Sequence, residues 1–259
     1  MIDGHIHFHD QPYSLSLIRK MIEVAQSKGI DELFLLDHTH KFYEFDFLYT
    51  SLKEKLTCDW FYNKETKIKT HLQEYIDFIK EVKKHQWPIQ LHFGLEVCYF
   101  KDKLEDFKKA LKSLEPFKFD FLIGSIHYVD SIAVDLCKEV YENLDIDHFY
   151  RQYFEDIIDM INSKMFSFIA HPDLYKLYAP EPPFDLTPFL ERLCQTLKDN
   201  NQETENNSGL IRYGFPYPGL STTLLEMFDK YQIKYHRSSD AHKYQDIGRV
   251  FNELKSSVD

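Results

Sequence analysis

The chain has 259 residues, of which 43% are hydrophobic and 16% aromatic, and its formal net charge is −11. This much apolar material can form a sizeable core, which argues against a disordered chain, and no Gly/Ser- or Pro-rich linker divides the sequence. The acidic balance argues against binding to nucleic acid, which needs clustered lysines and arginines facing phosphates. We therefore expect one domain over residues 1–259.

Short segments of β-forming residues alternate with amphipathic helical segments along the chain. The strands are predicted at residues 1–7, 32–38, 89–97, 120–127, 166–171, 203–207 and 234–239. The helices are predicted at residues 14–28, 68–84, 101–114, 147–163, 188–198, 221–230 and 246–254. Seven strand–helix repeats indicate an α/β barrel of parallel strands rather than an open doubly wound sheet.

One long segment, residues 40–70, interrupts this alternation. We expect it to form a loop that covers a site, and the alternative is a helical insert that packs on the outside of the barrel. Its aromatic side chains are Phe42, Tyr43, Phe45, Phe47, Tyr49, Trp60, Phe61 and Tyr62.

Ligand-type side chains recur where the predicted strands end. The first strand ends in D-G-H-I-H-F-H, and H-x-H on a strand places both imidazoles on one side because side chains alternate with period 2. Five further strand ends carry a histidine or a carboxylate, and in a barrel these ends converge on one face. Such a set favours a metal cluster. Its members are His5, His7, His9, His38, Glu96, His127, His171, Asp240 and His242.

The remaining histidines fit surface or core positions better than ligand positions. His71 and His148 lie on helices, His85 just past a helix end, and His92 in the middle of a strand. Two more, His40 and His236, are adjacent to the predicted cluster, and the sequence leaves their roles open.

Cysteine usage and hydropathy bear on the compartment. Four cysteines lie far apart without a C-x-x-C pair, which favours a reducing environment over a disulfide framework. No signal peptide opens the sequence, and no apolar run approaches the ~20 residues of a membrane span. We expect a cytoplasmic protein that does not enter a membrane.

The motifs D-G-H-I-H, D-H, G-L-E-V, G-S-I-H-Y, A-H-P-D and S-S-D-A-H resemble, in order, those of the polymerase-and-histidinol-phosphatase (PHP) superfamily. Within it, the chain is similar to the histidinol-phosphate phosphatases of histidine biosynthesis. The segments that carry this finer resemblance are 94–99, 124–130, 171–176 and 206–210.

The resemblance implies a distorted (β/α)7 barrel that holds two to three divalent ions, such as zinc, iron or manganese. The first ion would be held by His5, His7, Glu96 and Asp240, and Glu96 would bridge to a second, which His127 and His171 complete. A third would be held by His38 and His242. The family's further histidine for that ion is missing at its usual spacing, and His9 is the nearest candidate. Glu96, Asp240 and His242 are taken as the catalytic residues.

Phosphate recognition calls for fixed cations, and the planar fork of arginine suits phosphate oxygens. Arg212 follows the sixth predicted strand and Arg237 lies in the seventh, both near the ligand face. We therefore expect both to contact the phosphate. Asp173 and Lys176, on the loop after His171, are further candidates for substrate contact.

These expectations predict a metal-dependent phosphomonoesterase that hydrolyses L-histidinol phosphate, a small phosphorylated partner. Three alternatives stay open. Another small phosphate ester is one, a phosphodiesterase or exonuclease activity on nucleic acid is the second, and a non-catalytic metal-binding module is the third. The sequence does not indicate an oligomeric state.

Overall fold

The structure is a computed structural model that describes residues 1–9, 11–55 and 69–258. Seven strands form one parallel sheet. In sheet order they are β1 (Ile2–His7), β2 (Glu32–His38), β3 (Gln90–Cys98), β4 (Phe121–Ser125), β7 (Phe168–Ile169), β8 (Glu203–Asn207) and β9 (Tyr235–Ser238). The sheet curls until β1 and β9 meet, where an isolated bridge joins Ile6 to Ala241 and the N–H of His7 donates to the Ala241 carbonyl at 2.8 Å. The result is a nearly closed seven-stranded barrel.

Helices surround this barrel and connect its strands. They are α1 (Leu15–Ser27), α2 (Thr50–Lys55), α3 (Leu72–Val82), α4 (Leu104–Lys112), α5 (Ile146–Asn162), α6 (Thr187–Asp199) and α7 (Thr222–Tyr231). A short hairpin of β5 (Tyr128–Val129) and β6 (Ile132–Ala133) follows β4. In α1 the Ser14 hydroxyl caps the first turn by accepting from the Leu17 N–H, and the helix buries one apolar face against the sheet. Among the described residues, no helix is both long and apolar enough to span a membrane.

The predicted helix at residues 246–254 is wrong. The structure has two three-residue 3-10 turns there, Tyr244–Asp246 and Phe251–Glu253. Gly248 and Val250 both have positive φ, which no α-helix allows. The N–H of Gly248 instead donates to Asp3 at 2.9 Å, so a tertiary hydrogen bond to the first strand replaces the helical pattern.

The segment at residues 40–70 combines features of both predicted alternatives. A 3-10 helix (Tyr43–Tyr49) leads into α2, and the side chains of Phe42 and Phe45 are buried against Tyr75 and Phe107 on the outside of the barrel. Tyr49, in contrast, faces the cavity described below. Trp60, Phe61 and Tyr62 lie outside the described residues.

The barrel interior has an apolar lower layer. Leu36, Phe121, Ile123, Phe168 and Ala170 form it, with Phe34 packed against them. The imidazole of His236 lies among these rings, in edge contact with Phe168. A Cβ on Gly4 would come within 2.1 Å of that imidazole, so only glycine fits there. The floor is therefore filled mainly by apolar side chains, and the predicted histidine and carboxylate ligands lie above it, at the carboxyl-terminal end of the strands.

Candidate metal centre

Six strand ends deliver predicted ligands to the upper layer of the barrel interior. His5 and His7 lie two positions apart on β1, so both point inward, and their side chains are fully buried. His38 is the last residue of β2, and Glu96 lies in β3 two positions before its end. The other predicted ligands follow the ends of strands β4, β7 and β9, and they are His127, His171, Asp240 and His242. Parallel strands with one shared edge thus bring together residues that are far apart in sequence.

Glu96 is at the centre of this arrangement. Its Oε2 atom lies 3.3 Å from Nε2 of both His5 and His7 and 2.9 Å from Nδ1 of His38. Its Oε1 atom lies 2.8 Å from His127 Nε2 and 3.1 Å from His171 Nε2. One carboxylate therefore has an oxygen in each of two groups of imidazole nitrogens, which is the arrangement of a bridging ligand.

The spacing of these atoms fits metal coordination. The ligand atoms of a tetrahedral zinc site, with bonds of about 2.0–2.1 Å, lie roughly 3.3 Å apart. Around the first group the distances are 2.9 Å between the Nε2 atoms of His5 and His7, 3.2 Å from His7 to Asp240 Oδ1, and 3.8 Å from His5 to the same oxygen. The Nε2 atoms of His5 and His7 each lie 3.3 Å from Glu96 Oε2. Imidazole and carboxylate donors also suit zinc, iron and manganese.

A further group of histidines overlaps the one around His5 and His7. The ligand atoms of His7, His38 and His242 lie within 4.8 Å of one another. The His9 ring centroid is 4.8 Å from that of His242. The His9 backbone has a φ of 47° and is held by Asp37, which accepts its N–H at 3.0 Å. The structure thus brings His9 to the group to which the sequence assigned it.

Electrostatics favour the ligating forms of Glu96, Asp240 and His38. Burial alone would raise the pKa of Glu96, but the imidazoles of His38 and His5 hold it well below its ordinary value. Burial likewise opposes ionisation of Asp240, while the Arg212 guanidinium and His5 keep its pKa well below the usual range. Burial lowers the pKa of His38 to about 3, so its imidazole is neutral at neutral pH. Ionised carboxylates and a neutral imidazole are the forms that bind metals.

The cluster opens into a cavity of about 320 Å³. Besides predicted ligands, its walls include Tyr49, Tyr128, Asp135, Arg212, Tyr213 and Lys243. Arg212 is fixed there because its Nη1 atom donates to the Asp240 carbonyl and to His242 Nδ1, both at 2.6 Å. This predicted phosphate contact therefore faces the predicted metal ligands.

The other predicted substrate residues do not line this cavity. Arg237 lies between two inward-facing residues of β9, so its side chain leaves the barrel, and its Nε atom donates to the Leu254 carbonyl at 2.9 Å. Asp173 accepts from Lys176 Nζ at 2.8 Å and from the N–H of Ser221 at 2.9 Å. These contacts tie the loop after β7 to the start of α7, which gives that pair a structural role.

Two carboxylates near the centre were not identified from the sequence. Glu205, on β8, has both oxygens 3.2 Å from Nδ1 of His5 and is fully buried. Asp135 Oδ2 lies 3.3 Å from Nδ1 of His127. The predicted strand E-T-E-N-N at 203–207 contains no hydrophobic residue, although a barrel strand has an inward face. That polarity is a signal that could have indicated Glu205.

The chain matches a family model described as PHP domain over residues 3–209. It is 24% identical over 205 residues to a probable histidinol-phosphatase of Schizosaccharomyces pombe, covering 72% of this chain and 65% of that protein. It is 26% identical over 266 residues to a probable histidinol-phosphatase of Deinococcus radiodurans, covering 100% of this chain and 92% of that protein. The chain thus spans slightly less than two thirds of the first relative and most of the second.

Solved structures share the fold. A chain from Listeria monocytogenes superposes with a TM-score of 0.77 at 19% identity, covering 98% of this chain and 100% of that one. Histidinol phosphate phosphatase from Lactococcus lactis, complexed with zinc, L-histidinol and phosphate, gives a TM-score of 0.65 at 19% identity, covering 94% and 86%. The family model spans most of the barrel and all but two of the predicted ligands, and the protein belongs to the PHP domain family.

Proposed function

We propose that this protein is a metal-dependent phosphomonoesterase that hydrolyses L-histidinol phosphate to L-histidinol and phosphate. The observation that carries the proposal is the Glu96 carboxylate, which has one oxygen in each of two groups of imidazole nitrogens at the base of a cavity. The names of the two relatives support it, and so does the Lactococcus lactis structure, whose ligands are the products of this reaction and zinc.

The proposed centre holds two to three divalent ions of zinc, iron or manganese. His5, His7, Glu96 and Asp240 would hold one ion, and Glu96, His127 and His171 a second. A third would lie between His38 and His242, with His9 as its additional ligand. When bound, such ions supply positive charge to phosphoryl oxygens and activate a water molecule for attack on phosphorus.

The chain's own cations would orient the phosphate. Two of the Arg212 contacts, to Asp240 and His242, hold its guanidinium beside the proposed ligands, and arginine has five N–H donors in all. Its other donors can bind phosphate oxygens, whose negative charge they offset. Lys243 also lines the cavity and adds a second positive charge. This pair takes the role that the sequence assigned to Arg212 and Arg237.

The remaining walls suit a small alcohol that carries an amine and an imidazole. Tyr49, Tyr128 and Tyr213 offer aromatic faces and hydroxyls, and Asp135 offers a negative charge. A cavity of about 320 Å³ matches a small ligand with a few convergent polar contacts. In this proposal, metal binding, phosphate binding and substrate selection belong to one domain over residues 1–259.

The test is a comparison of substrates. The protein, loaded with zinc or manganese, is assayed against L-histidinol phosphate, nucleoside monophosphates, sugar phosphates and single-stranded DNA at matched concentrations. We expect the highest kcat/KM for L-histidinol phosphate. A higher value for another small monoester would contradict the substrate assignment, and preferred cleavage of DNA would establish a phosphodiesterase instead. No turnover of any ester by a metal-loaded sample would favour a non-catalytic metal-binding module.

A further inference from the structure

Glu205 is a buried carboxylate directly behind the first group of predicted ligands. It lies in β8, between β7 and β9 in the sheet, and its side chain is fully buried. Both of its oxygens are 3.2 Å from Nδ1 of His5, on the side of the imidazole opposite to Glu96. The carboxylate is therefore next to the centre without belonging to the proposed ligand set.

The same carboxylate also holds the turn after β7. Its Oε1 atom accepts the main-chain N–H of His171 at 2.9 Å and the side-chain amide of Asn207 at 2.7 Å. His171 has a φ of 27°, in a region that residues other than glycine rarely adopt, so the turn needs contacts that keep it there. Glu205 thus contacts a side chain at the end of β1 and the backbone at the end of β7.

The contact with His5 determines which nitrogen faces the cluster as an acceptor. A carboxylate can only accept, so Nδ1 of His5 must carry the proton, and the lone pair of a neutral imidazole is then on Nε2. That atom lies 2.9 Å from Nε2 of His7 and 3.3 Å from Glu96. By contrast, Nδ1 of His7 and of His171 have no hydrogen-bond partner among the described residues. Of the ligands in the first group, His5 is the one whose tautomer a carboxylate fixes.

We propose that Glu205 is a positioning residue that sets the affinity of the centre for metal by fixing the orientation of His5 and the turn at His171. The inference rests on the metal centre of the proposed function, and it adds a residue beyond the ligands. It does not depend on which phosphate ester is the substrate.

The test is Glu205→Gln, which preserves shape and removes one accepting oxygen. The N–H of His171 and the amide of Asn207 both donate to Oε1, so the glutamine oxygen stays there and its NH2 group faces Nδ1 of His5. Nδ1 of His5 then faces that NH2 donor, and the one oxygen still within 3.2 Å already accepts from His171 and Asn207, so the contact that keeps the proton on Nδ1 is weakened. We expect the affinity for Zn²⁺ or Mn²⁺ to fall by about 10- to 100-fold, the usual effect of losing such a partner.

The affinity is measured by titrating metal-free protein in competition with a chromophoric chelator. The matched control is Glu203→Gln, on the same strand and face, whose carboxylate is 40% exposed and 3.6 Å from Lys234 Nζ. It should bind metal like the unaltered protein. The absorption spectrum of the Co²⁺-loaded forms is a second readout. We expect it to change for Glu205→Gln and not for Glu203→Gln, because it reports ligand geometry rather than folding.

A second variant keeps the inference testable if Glu205→Gln does not fold. Glu205→Asp retains the charge but ends one methylene short of His5, so its metal affinity should lie between those of the unaltered protein and Glu205→Gln. Unchanged affinity and an unchanged Co²⁺ spectrum in a folded Glu205 variant would overturn the inference while leaving the proposed function intact. If the unaltered protein bound no divalent ion, the metal centre itself would be refuted, and the inference with it.

Discussion

Two imidazoles of the centre contact carboxylates that differ in burial, with a sealed side at Glu205 and an open side at Asp135. The side chains of His5 and Glu205 are both fully buried, whereas those of His127 and Asp135 are 17% and 26% exposed. Because water cannot replace a partner on the sealed side, loss of Glu205 would leave His5 without an acceptor. On the open side, water or a substrate can take the place of either group. Burial thus distinguishes the contact of Glu205 with His5, which stays in place, from the contact of Asp135 with His127, which can be exchanged during turnover.

Glu96 joins the two sides, so its loss should have the largest effect. We expect Glu96→Ala to lower kcat/KM by on the order of 10³-fold or more, because both groups of ligands lose their shared carboxylate. The control is His92→Ala on the same strand, where the imidazole contacts Glu32 at 2.8 Å outside the cavity. That variant should lose thermal stability and keep its rate. Near-normal turnover by Glu96→Ala would contradict a two-metal centre.

Arg212 tests the cavity-facing side. We expect Arg212→Ala to lower kcat/KM by a factor that corresponds to about 1.5–3 kcal/mol of transition-state stabilisation, the scale of a hydrogen bond to a charged group. Arg237→Ala is the matched control because its guanidinium contacts the Leu254 carbonyl outside the cavity, and its kcat/KM should change less than about twofold. Steady-state kinetics on both variants decide the matter. Equal losses of kcat/KM in the two variants would contradict the assignment of phosphate binding to Arg212 rather than to Arg237.

Asp135→Asn sharpens the contrast between the two carboxylates. Since the Asp135 side chain is partly exposed, water can compensate for its weaker contact with His127, and metal affinity should fall only about threefold to tenfold. The KM for an amine-bearing ester should rise more than the KM for a neutral ester of similar size, because the negative charge at the cavity wall is lost. A metal-affinity loss as large as that of Glu205→Gln would refute the distinction between the sealed and the open side.

Asp156 shows what burial does to a carboxylate that a neutral amide binds, that of Gln152, and its effect should be the smallest. Burial, with the nearby charge of Asp130, raises the pKa of Asp156 from 3.8 to about 6. Between these pH values the folded state holds more protons than the unfolded state, so stability falls as pH rises. Asp156→Asn can keep the contact with Gln152 and should raise the free energy of unfolding by about 1 kcal/mol at pH 7.5.

Urea unfolding at pH 4 and pH 7.5 measures this effect, and near pH 4 the variant and the unaltered protein should be equally stable. The partnered carboxylate Glu205 gives the opposite case. Burial opposes its ionisation, but the imidazole of His5 lowers its pKa to about 2. A gain from Asp156→Asn that was the same at both pH values would have a cause other than ionisation.

Much of the fold and the predicted ligands could be read from the sequence because both depend on local patterns. Strand periodicity located the barrel strands, and the residues at strand ends converge in any parallel barrel, so His5, Glu96 and His171 could be grouped without knowledge of packing. The turn chemistry near the C-terminus could not be read in this way. A helical pattern at residues 246–254 gave way to positive φ at Gly248 and Val250, and the N–H of Gly248 donates to Asp3 instead of to a helical carbonyl.

The substrate contacts and the supporting carboxylates depend on packing that no local pattern encodes. Arg237 is near the correct edge in sequence, but the pleat of β9 turns its side chain outward. Asp173 and Lys176 follow a predicted ligand, yet they pair with each other across a loop. Glu205 acts on His5 from 200 positions away in the chain, and only the closed barrel brings the two together.

The meeting of β1 and β9 has a consequence for folding. Asp3, at the start of the chain, accepts hydrogen bonds from Ser239 and Gly248, which are 236 and 245 positions away. Closing so long a loop costs conformational entropy, which the contacts at this junction must offset. His5 and His7 lie on one side of the junction and Asp240 and His242 on the other. A bound ion would therefore link the two ends of the chain. Its binding energy would stabilise the closed barrel, in addition to the part that the ion takes in catalysis.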